Sequence, residues 1–177
     1  MQALPELAHH VRRAARVLSR TMVHEFGHAV VLKIINFPAV LITIHTPAYA
    51  ETRPGKGLWA LTGNLNQNYL REAAMVAVAG VCAEGLLSAP RLSGPEIEAT
   101  LLRYRNRGDA GYLQKAVSTA KEPIAISALI DDVSDMLNPL MEHLKEIADD
   151  VAEWYVRETP EPPSILPAHF LARAVGE

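Results

Sequence analysis

An apolar segment that carries three ionisable groups places the strongest constraint on this chain. Residues 20–37 read RTMVHEFGHAVVLKIINF, in which His24, Glu25 and His28 interrupt a run of Met, Val, Phe, Ala, Leu and Ile. Burying three ionisable groups in an apolar helix costs several kcal/mol unless they are paired or bound to a metal. The segment therefore predicts a core helix with a polar site built into it.

The spacing of these groups indicates which metal chemistry the site supports. His24 and His28 are four residues apart, so on a helix they share one face and can bind a single divalent ion. Glu25 lies about 100° round the helix from His24 and can reach a water on the metal without being a ligand. In this HExxH pattern the metal acidifies the water and the glutamate takes its proton. We therefore expect a zinc-dependent hydrolase of peptide bonds, with Glu25 as the catalytic general base.

A catalytic zinc site has three protein ligands and one open position, so a third ligand must come from elsewhere. Glu84 lies in the Ala-rich stretch AGVCAEGLL, where a charge requires a partner. Asp109 lies in NRGDAG, where Gly108 lets the backbone approach a metal and the aspartate can open a helix. Spacing leaves the choice open. The remaining candidates are His9, His10, His45, Glu72, His143 and His169.

The composition fits one compact domain and excludes several classes of protein. The 177 residues are 49% hydrophobic with a net charge of −3, and no long basic run suggests nucleic-acid binding. A single cysteine, Cys82, rules out a disulfide within the chain. We see no signal peptide, and the longest apolar run is interrupted by Lys33 and is too short to be a membrane segment. We expect a cytoplasmic protein with one domain at 1–158 and a Pro-rich extension at 159–177 holding a short helix.

Hydrophobic periodicity predicts a mainly α (α+β) fold with a small β-hairpin beside the HExxH helix. Pro38 should end that helix, and Pro139 should kink or interrupt a long C-terminal helical stretch. Helices are expected at 5–19, which continues or restarts to about residue 35, and at 65–87. Further helices are expected to begin at Ser93 or Gly94 and after residue 108, and another is expected at 122–158. Strands are expected at 39–46 and 58–64, on either side of a turn-rich loop at 48–57.

Three motifs in order resemble the peptidase domain of the FtsH-like ATP-dependent zinc metalloproteases. HEFGHAVV is similar to the family's HExGHA motif, AGVCAEGLL to its AGxxAEE-like helix, and NRGDAGYLQKA to a Gly-rich segment with a metal-binding aspartate. The strand, loop and edge strand predicted between the first two motifs follow the family's order. The resemblance covers roughly residues 16–120 and implies a zincin-like metallopeptidase fold.

The resemblance implies that His24, His28 and Asp109 bind Zn²⁺ and that Glu25 is the base. Glu84 matches the family's helix glutamate and stays the alternative third ligand, because Asp109 follows Gly108 directly, which departs from the family's spacing. The family's substrate lies along an edge strand, which corresponds to the substrate-binding residues Leu58, Trp59, Ala60, Leu61 and Thr62. An ordinary hairpin strand with Trp59 packed inward explains the same residues.

The chain contains no GxxxxGK[ST] loop, so we expect an ATP-independent protease whose substrates are peptides or unfolded and exposed protein segments. Two alternatives remain: a non-catalytic zincin-like module that binds a peptide or partner, and a regulatory metallopeptidase that cuts a single partner protein. The sequence leaves the oligomeric state open, because the family's ring is associated with the ATPase.

Overall fold

The structure, a computed structural model, describes residues 3–37, 40–54, 67–88, 91–103 and 108–177. Its described part is mainly helical with a small antiparallel sheet, which confirms the predicted mainly α (α+β) class. No described helix is both long enough and apolar enough to cross a lipid bilayer. The elements are α1 (Ala3–Ile34), β1 (Val40–Thr46), β2 (Tyr49–Pro54), α2 (Gln67–Leu87), α3 (Gly94–Arg103), α4 (Gly108–Thr119), α5 (Ile126–Leu137), α6 (Met141–Glu158), β3 (Ser164–Ile165) and α7 (Ala168–Ala174).

The HExxH segment belongs to α1, a single helix of 32 residues rather than two helices. It ends at Ile34, ahead of Pro38, and Asn36 just beyond its end adopts a left-handed conformation with φ of 56°. The Phe37 N–H donates to the Leu32 carbonyl at 2.9 Å and the Asn36 N–H to the Lys33 carbonyl at 3.0 Å. This Schellman arrangement satisfies carbonyls that the end of the helix leaves free.

α1 and α2 form the centre of the fold. α1 packs against α2, α6 and β2, while α2 also packs against α4 and α5. The helices approach closely because α2 is rich in buried alanine and α1 has a glycine at the crossing. A Cβ on Gly27 would lie 2.8 Å from the Ala79 carbonyl oxygen and 2.9 Å from the Ala83 Cβ. The small residues therefore let α2 lie directly beside the histidine-bearing part of α1.

The sheet has the order β2-β1-β3, with both pairs antiparallel. β1 confirms the first predicted strand, but the expectation of a loop throughout 48–57 is wrong, because residues 49–54 form β2. Ala50 is buried opposite Ile44. Burial of that pair and the main-chain hydrogen bonds to β1 outweigh the turn propensity of the segment. The predicted strand at 58–64 lies outside the described residues, and β2 is the hairpin partner of β1.

The later helices begin and end at recognisable sequence signals. Ser93 precedes α3, where its N–H and hydroxyl both donate to Glu96 Oε2, at 2.8 and 2.7 Å. Pro139 lies in a short 3₁₀ turn, Asn138–Leu140, that separates α5 from α6, which confirms the predicted interruption. After α6 the chain returns to the body: β3 pairs with β1, and α7 packs against α6 and α1.

Candidate metal centre

Three side chains from two helices bring one ligand atom each to a common point. His24 Nε2 lies 2.9 Å from Asp109 Oδ2, His28 Nε2 lies 3.3 Å from the same oxygen, and the two Nε2 atoms are 3.1 Å apart. Ligand atoms at zinc distances of about 2.0–2.1 Å in a tetrahedron are separated by roughly 3.3 Å. The triangle formed by the three atoms therefore has the size that one divalent cation requires. Among the described residues this is the group that could hold a metal ion.

The positions of the three side chains follow from their helices. His24 and His28 project from successive turns of α1, with ring centroids 4.9 Å apart. Asp109 is the second residue of α4, directly after Gly108, whose φ of 49° favours glycine. α4 packs against α2, which places its first turn over the histidine pair. The structure thus brings together the residues that the sequence and the family resemblance selected as ligands.

The other nitrogen of each imidazole is already engaged, and this determines which atoms face the metal position. His28 Nδ1 lies 2.7 Å from the Val76 carbonyl oxygen, which can only accept, so Nδ1 carries the hydrogen. His24 Nδ1 lies 2.7 Å from Glu84 Oε1 and donates to that carboxylate. In its neutral form, each ring therefore directs an Nε2 lone pair at the common point. Two lone pairs and a carboxylate oxygen repel one another unless a proton or a metal cation lies between them.

Glu84 lies on the side of His24 that faces away from the ligand triangle. Its second oxygen accepts a hydrogen bond from Arg20 Nε at 2.7 Å. Burial by itself would raise the pKa of Glu84, but the hydrogen bonds with His24 and Arg20 bring that pKa below its ordinary value. Glu84 is therefore a charged acceptor that orients the His24 ring, and its oxygens are not among the three converging atoms.

The His24 ring rests directly on the backbone of α2 at Gly80. A Cβ at Gly80 would lie 2.4, 2.5 and 2.6 Å from Nε2, Cδ2 and Cε1 of that ring. Real Cβ atoms essentially never approach other atoms below 3.0 Å. Only glycine leaves room for the ring in its observed position. This explains a glycine inside a helix, where it is less favourable than alanine by roughly 0.5–1 kcal/mol.

Glu25 lies beside the triangle and is almost completely buried, with 5% exposure. The Thr52 hydroxyl, on β2, donates to Glu25 Oε2 at 2.7 Å. Burial raises the pKa of Glu25, against the opposing effects of positive charge on His28 and His24 and of the Thr52 hydrogen bond. A carboxylate with a raised pKa accepts a proton more readily near neutral pH, which is what a general base requires.

Protons and a cation compete for the same three side chains. Burial would lower the pKa of His24, but the hydrogen bonds with Asp109 and Glu84 raise that pKa to about 10. The pKa of His28 is raised in the same direction, chiefly by the charge of Asp109 and against burial. Burial would raise the pKa of Asp109, but the charge of His28 and the bond to His24 hold it far below its usual range. The negative potential that holds protons on the rings equally favours a divalent cation.

A cleft of about 800 Å³ opens onto the triangle. β2 lines one wall, from Tyr49 to Arg53, and Thr21 and Leu32 lie along α1 on either side of the histidine pair. Because β1 lies between β2 and β3, β2 is an edge strand in the described part of the sheet. A metal held by the triangle would therefore lie beside a strand edge, inside a space open to a peptide.

The remaining candidate residues do not join the cluster. His45 pairs with Glu51 at 2.9 Å on the sheet, and His143 lies 3.1 Å from the Arg173 carbonyl oxygen. The predicted substrate residues Leu58, Trp59, Ala60, Leu61 and Thr62 lie outside the described residues. Neither His9, His10 and His169 nor Glu72 belongs to the metal-competent group found among the described residues.

Sequence reasoning missed the residues that support the site: Arg20, Thr52 and Gly80. The sequence held an indication for Gly80, because it lies four residues before Glu84 and so shares a face of α2 with that candidate residue.

Comparison of the chain with known protein families, with curated proteins and with solved structures finds no significant match. The FtsH-like resemblance therefore remains a prediction, and the interpretation of the site depends on its own geometry.

Proposed function

We propose that this protein is a zinc-dependent endopeptidase that hydrolyses peptide bonds in unfolded or exposed protein segments. One observation carries the proposal: His24 Nε2, His28 Nε2 and Asp109 Oδ2 lie within 3.3 Å of one another while the Nδ1 atoms are engaged elsewhere. A buried carboxylate, Glu25, lies next to this triangle in an open cleft. That combination is what metal-assisted hydrolysis needs.

His24, His28 and Asp109 would hold the metal. Two imidazoles and one carboxylate suit zinc, and they leave a coordination position for a small ligand. When bound, zinc supplies a Lewis acid that polarises the scissile carbonyl and makes a water molecule acidic near neutral pH. The same ligand set binds Fe(II) in other proteins. Glu25 is buried beside the site and is not one of the three ligands. We favour hydrolysis over oxidation chemistry because a carboxylate in that position can serve as a general base.

Glu25 would move the proton. Its Oε2 is occupied by the Thr52 hydroxyl, so Oε1 is the oxygen left to take a proton from water. The carboxyl then donates that proton to the amine nitrogen as the peptide bond breaks. The raised pKa of Glu25 supports both directions of transfer, because a very acidic carboxyl would take the proton poorly and a basic one would release it poorly.

β2 supplies a means of holding an extended substrate. It pairs with β1 through residues 49–54 and lines the cleft, and its other edge is unpaired in the described sheet. A peptide added to this edge gains main-chain hydrogen bonds whatever its side chains. This recognition suits unfolded segments, and a regulatory peptidase that cuts one partner protein would use the same residues.

The test is hydrolysis by the zinc-loaded protein and by Glu25→Gln, with an unfolded protein as substrate. We expect Glu25→Gln to bind zinc as the unaltered protein does and to lose hydrolysis by about 10²–10⁴-fold. Glu72→Gln, a carboxylate on α2 outside the site, is the matched control and should cleave normally. Cleavage retained by Glu25→Gln would refute the mechanism. A zinc-loaded protein that binds the substrate without cutting it would indicate the non-catalytic binding module instead.

A further inference from the structure

The Thr52 hydroxyl has two acceptors within reach, and both belong to Glu25. Its oxygen lies 2.7 Å from Glu25 Oε2 and 3.1 Å from the Glu25 carbonyl oxygen. That carbonyl is inside α1, where the helical hydrogen-bond ladder already uses it. A hydroxyl has one hydrogen, and a charged acceptor at the shorter distance binds it more strongly. The hydrogen therefore belongs chiefly to the carboxylate.

The position of Thr52 is well determined. It lies in β2 opposite Ile42 of β1, and Ile42 is buried in the core. Threonine is branched at Cβ, which restricts rotation about its first side-chain torsion. The backbone register of β2 therefore places the hydroxyl at a defined point beside α1. The carboxylate in turn is confined by a partner on a different element, in addition to its own helix.

Building on the proposed function, we propose that Thr52 is a positioning residue for Glu25. Its hydroxyl holds Oε2, so that Oε1 faces the cleft as the basic oxygen. Without that bond the carboxylate rotates about its terminal torsion, which has broad minima, and spends less time in the productive orientation. Since Thr52 lies on the strand that lines the cleft, one strand both borders the substrate and orients the base.

Two substitutions of similar size distinguish the proposed positioning role of Thr52 from a purely structural one. Thr52→Val keeps the branched shape and removes the hydroxyl, whereas Thr52→Ser keeps the hydroxyl and loses the methyl group. Thr43 on β1 provides a matched control, because it is also a partly buried sheet threonine and does not line the cleft. Thr43→Val therefore reports the cost of the same chemical change away from Glu25.

The experiment measures kcat, KM and zinc affinity for the zinc-loaded protein and these variants. We expect Thr52→Val to lower kcat by about 10- to 100-fold, with KM and the zinc Kd changed by no more than about twofold. Thr52→Ser should retain kcat within about threefold, and Thr43→Val should match the unaltered protein. A Thr52→Val variant with normal kcat would overturn the proposal, as would a Thr52→Ser variant impaired equally.

A second measurement tests the contact without any catalysis. In zinc-free protein, Thr52→Val should lower Tm when Glu25 is present by at least about 2 °C more than it does in the Glu25→Ala variant. Equal shifts in both backgrounds would overturn the proposed contact. A protein that shows this coupling but does not hydrolyse peptides would refute the proposed endopeptidase while leaving the Thr52–Glu25 interaction in place.

Discussion

Replacing Gly80 by alanine should disable the metal site with little change to the fold. The new methyl group would occupy the space of the His24 ring, at 2.4–2.6 Å from three of its atoms. Comfortable carbon contacts are about 3.5 Å or longer, so the overlap is roughly 1 Å. The ring must move by about that distance, or α2 must withdraw from α1. Either movement takes Nε2 away from the point it shares with His28 and Asp109.

The magnitude follows from how little displacement a metal site tolerates. Ligand distances in zinc sites hold to within about 0.2 Å, so a 1 Å movement removes His24 as an effective ligand. We expect zinc affinity to fall by at least roughly 100-fold, equivalent to about 2.7 kcal/mol. The zinc-free protein should lose less, because crowding costs about 1–3 kcal/mol while alanine in a helix interior regains about 0.5–1 kcal/mol over glycine.

Competition with a chromophoric chelator measures the affinity, and circular dichroism with thermal unfolding reports the fold. Gly85→Ala is the matched control on the same helix. Its Cβ would meet Cδ1 and Cγ1 of the Ile97 side chain, both at 3.0 Å, and a small rotation of that side chain relieves the contact without moving His24. We expect Gly85→Ala to bind zinc normally. A folded Gly80→Ala protein with unaltered zinc affinity would refute the packing argument for His24.

Two further predictions concern the charges of the site. Asp109→Asn should weaken zinc binding more than Glu84→Gln, for which the loss of an orienting partner predicts about a 10- to 100-fold effect; a larger loss in Glu84→Gln would identify Glu84 as the third ligand. The pKa of His24 is raised to about 10 in the zinc-free fold, so this interaction stabilises fully below about pH 6.5 and is lost as pH rises towards 10. Zinc displaces those protons, so the zinc-induced rise in Tm should be larger at pH 8 than at pH 6. A smaller rise at pH 8 would contradict the proton competition.

Local sequence signals were sufficient to predict the helical framework and the shared face of the two histidines. The i, i+4 spacing of His24 and His28 places both rings on one face of any α-helix, whatever the rest of the chain does. Likewise, a proline lacks a backbone donor and clashes with the preceding helical turn, so Pro38 and Pro139 predict interruptions without any tertiary information. The structure bears out these expectations in α1 and in the turn between α5 and α6.

The strand beside the site could not be predicted in the same way. Glu51, Thr52, Arg53 and Pro54 resemble a turn or loop in composition, and only pairing with β1 and burial of Ala50 make them a strand. Because the sequence predicts a loop at 48–57, it gives no indication that Thr52 contacts Glu25. Tertiary packing outweighs the local turn propensity here, because the conformation of the segment depends on how the hairpin docks on α1.

The position of the third ligand likewise depends on tertiary packing. Asp109 is 85 residues from His24 in sequence, and its distance from the histidines depends on the packing of α4 on α2. Residue spacing alone leaves Glu84 open as the alternative third ligand. The structure separates the two because they contact different nitrogens of one ring: Asp109 lies at Nε2 and Glu84 at Nδ1. That distinction is one of orientation, which a linear sequence does not carry.

The most direct measurement is zinc quantification combined with X-ray absorption spectroscopy of the purified, zinc-loaded protein. We expect one zinc ion per chain, with two imidazole nitrogens and a carboxylate oxygen at about 2.0–2.2 Å in its coordination shell. The imidazole signal should disappear in a variant carrying both His24→Ala and His28→Ala. A protein that takes up no zinc, or a zinc shell without imidazole, would contradict the assignment of this triangle as a metal site.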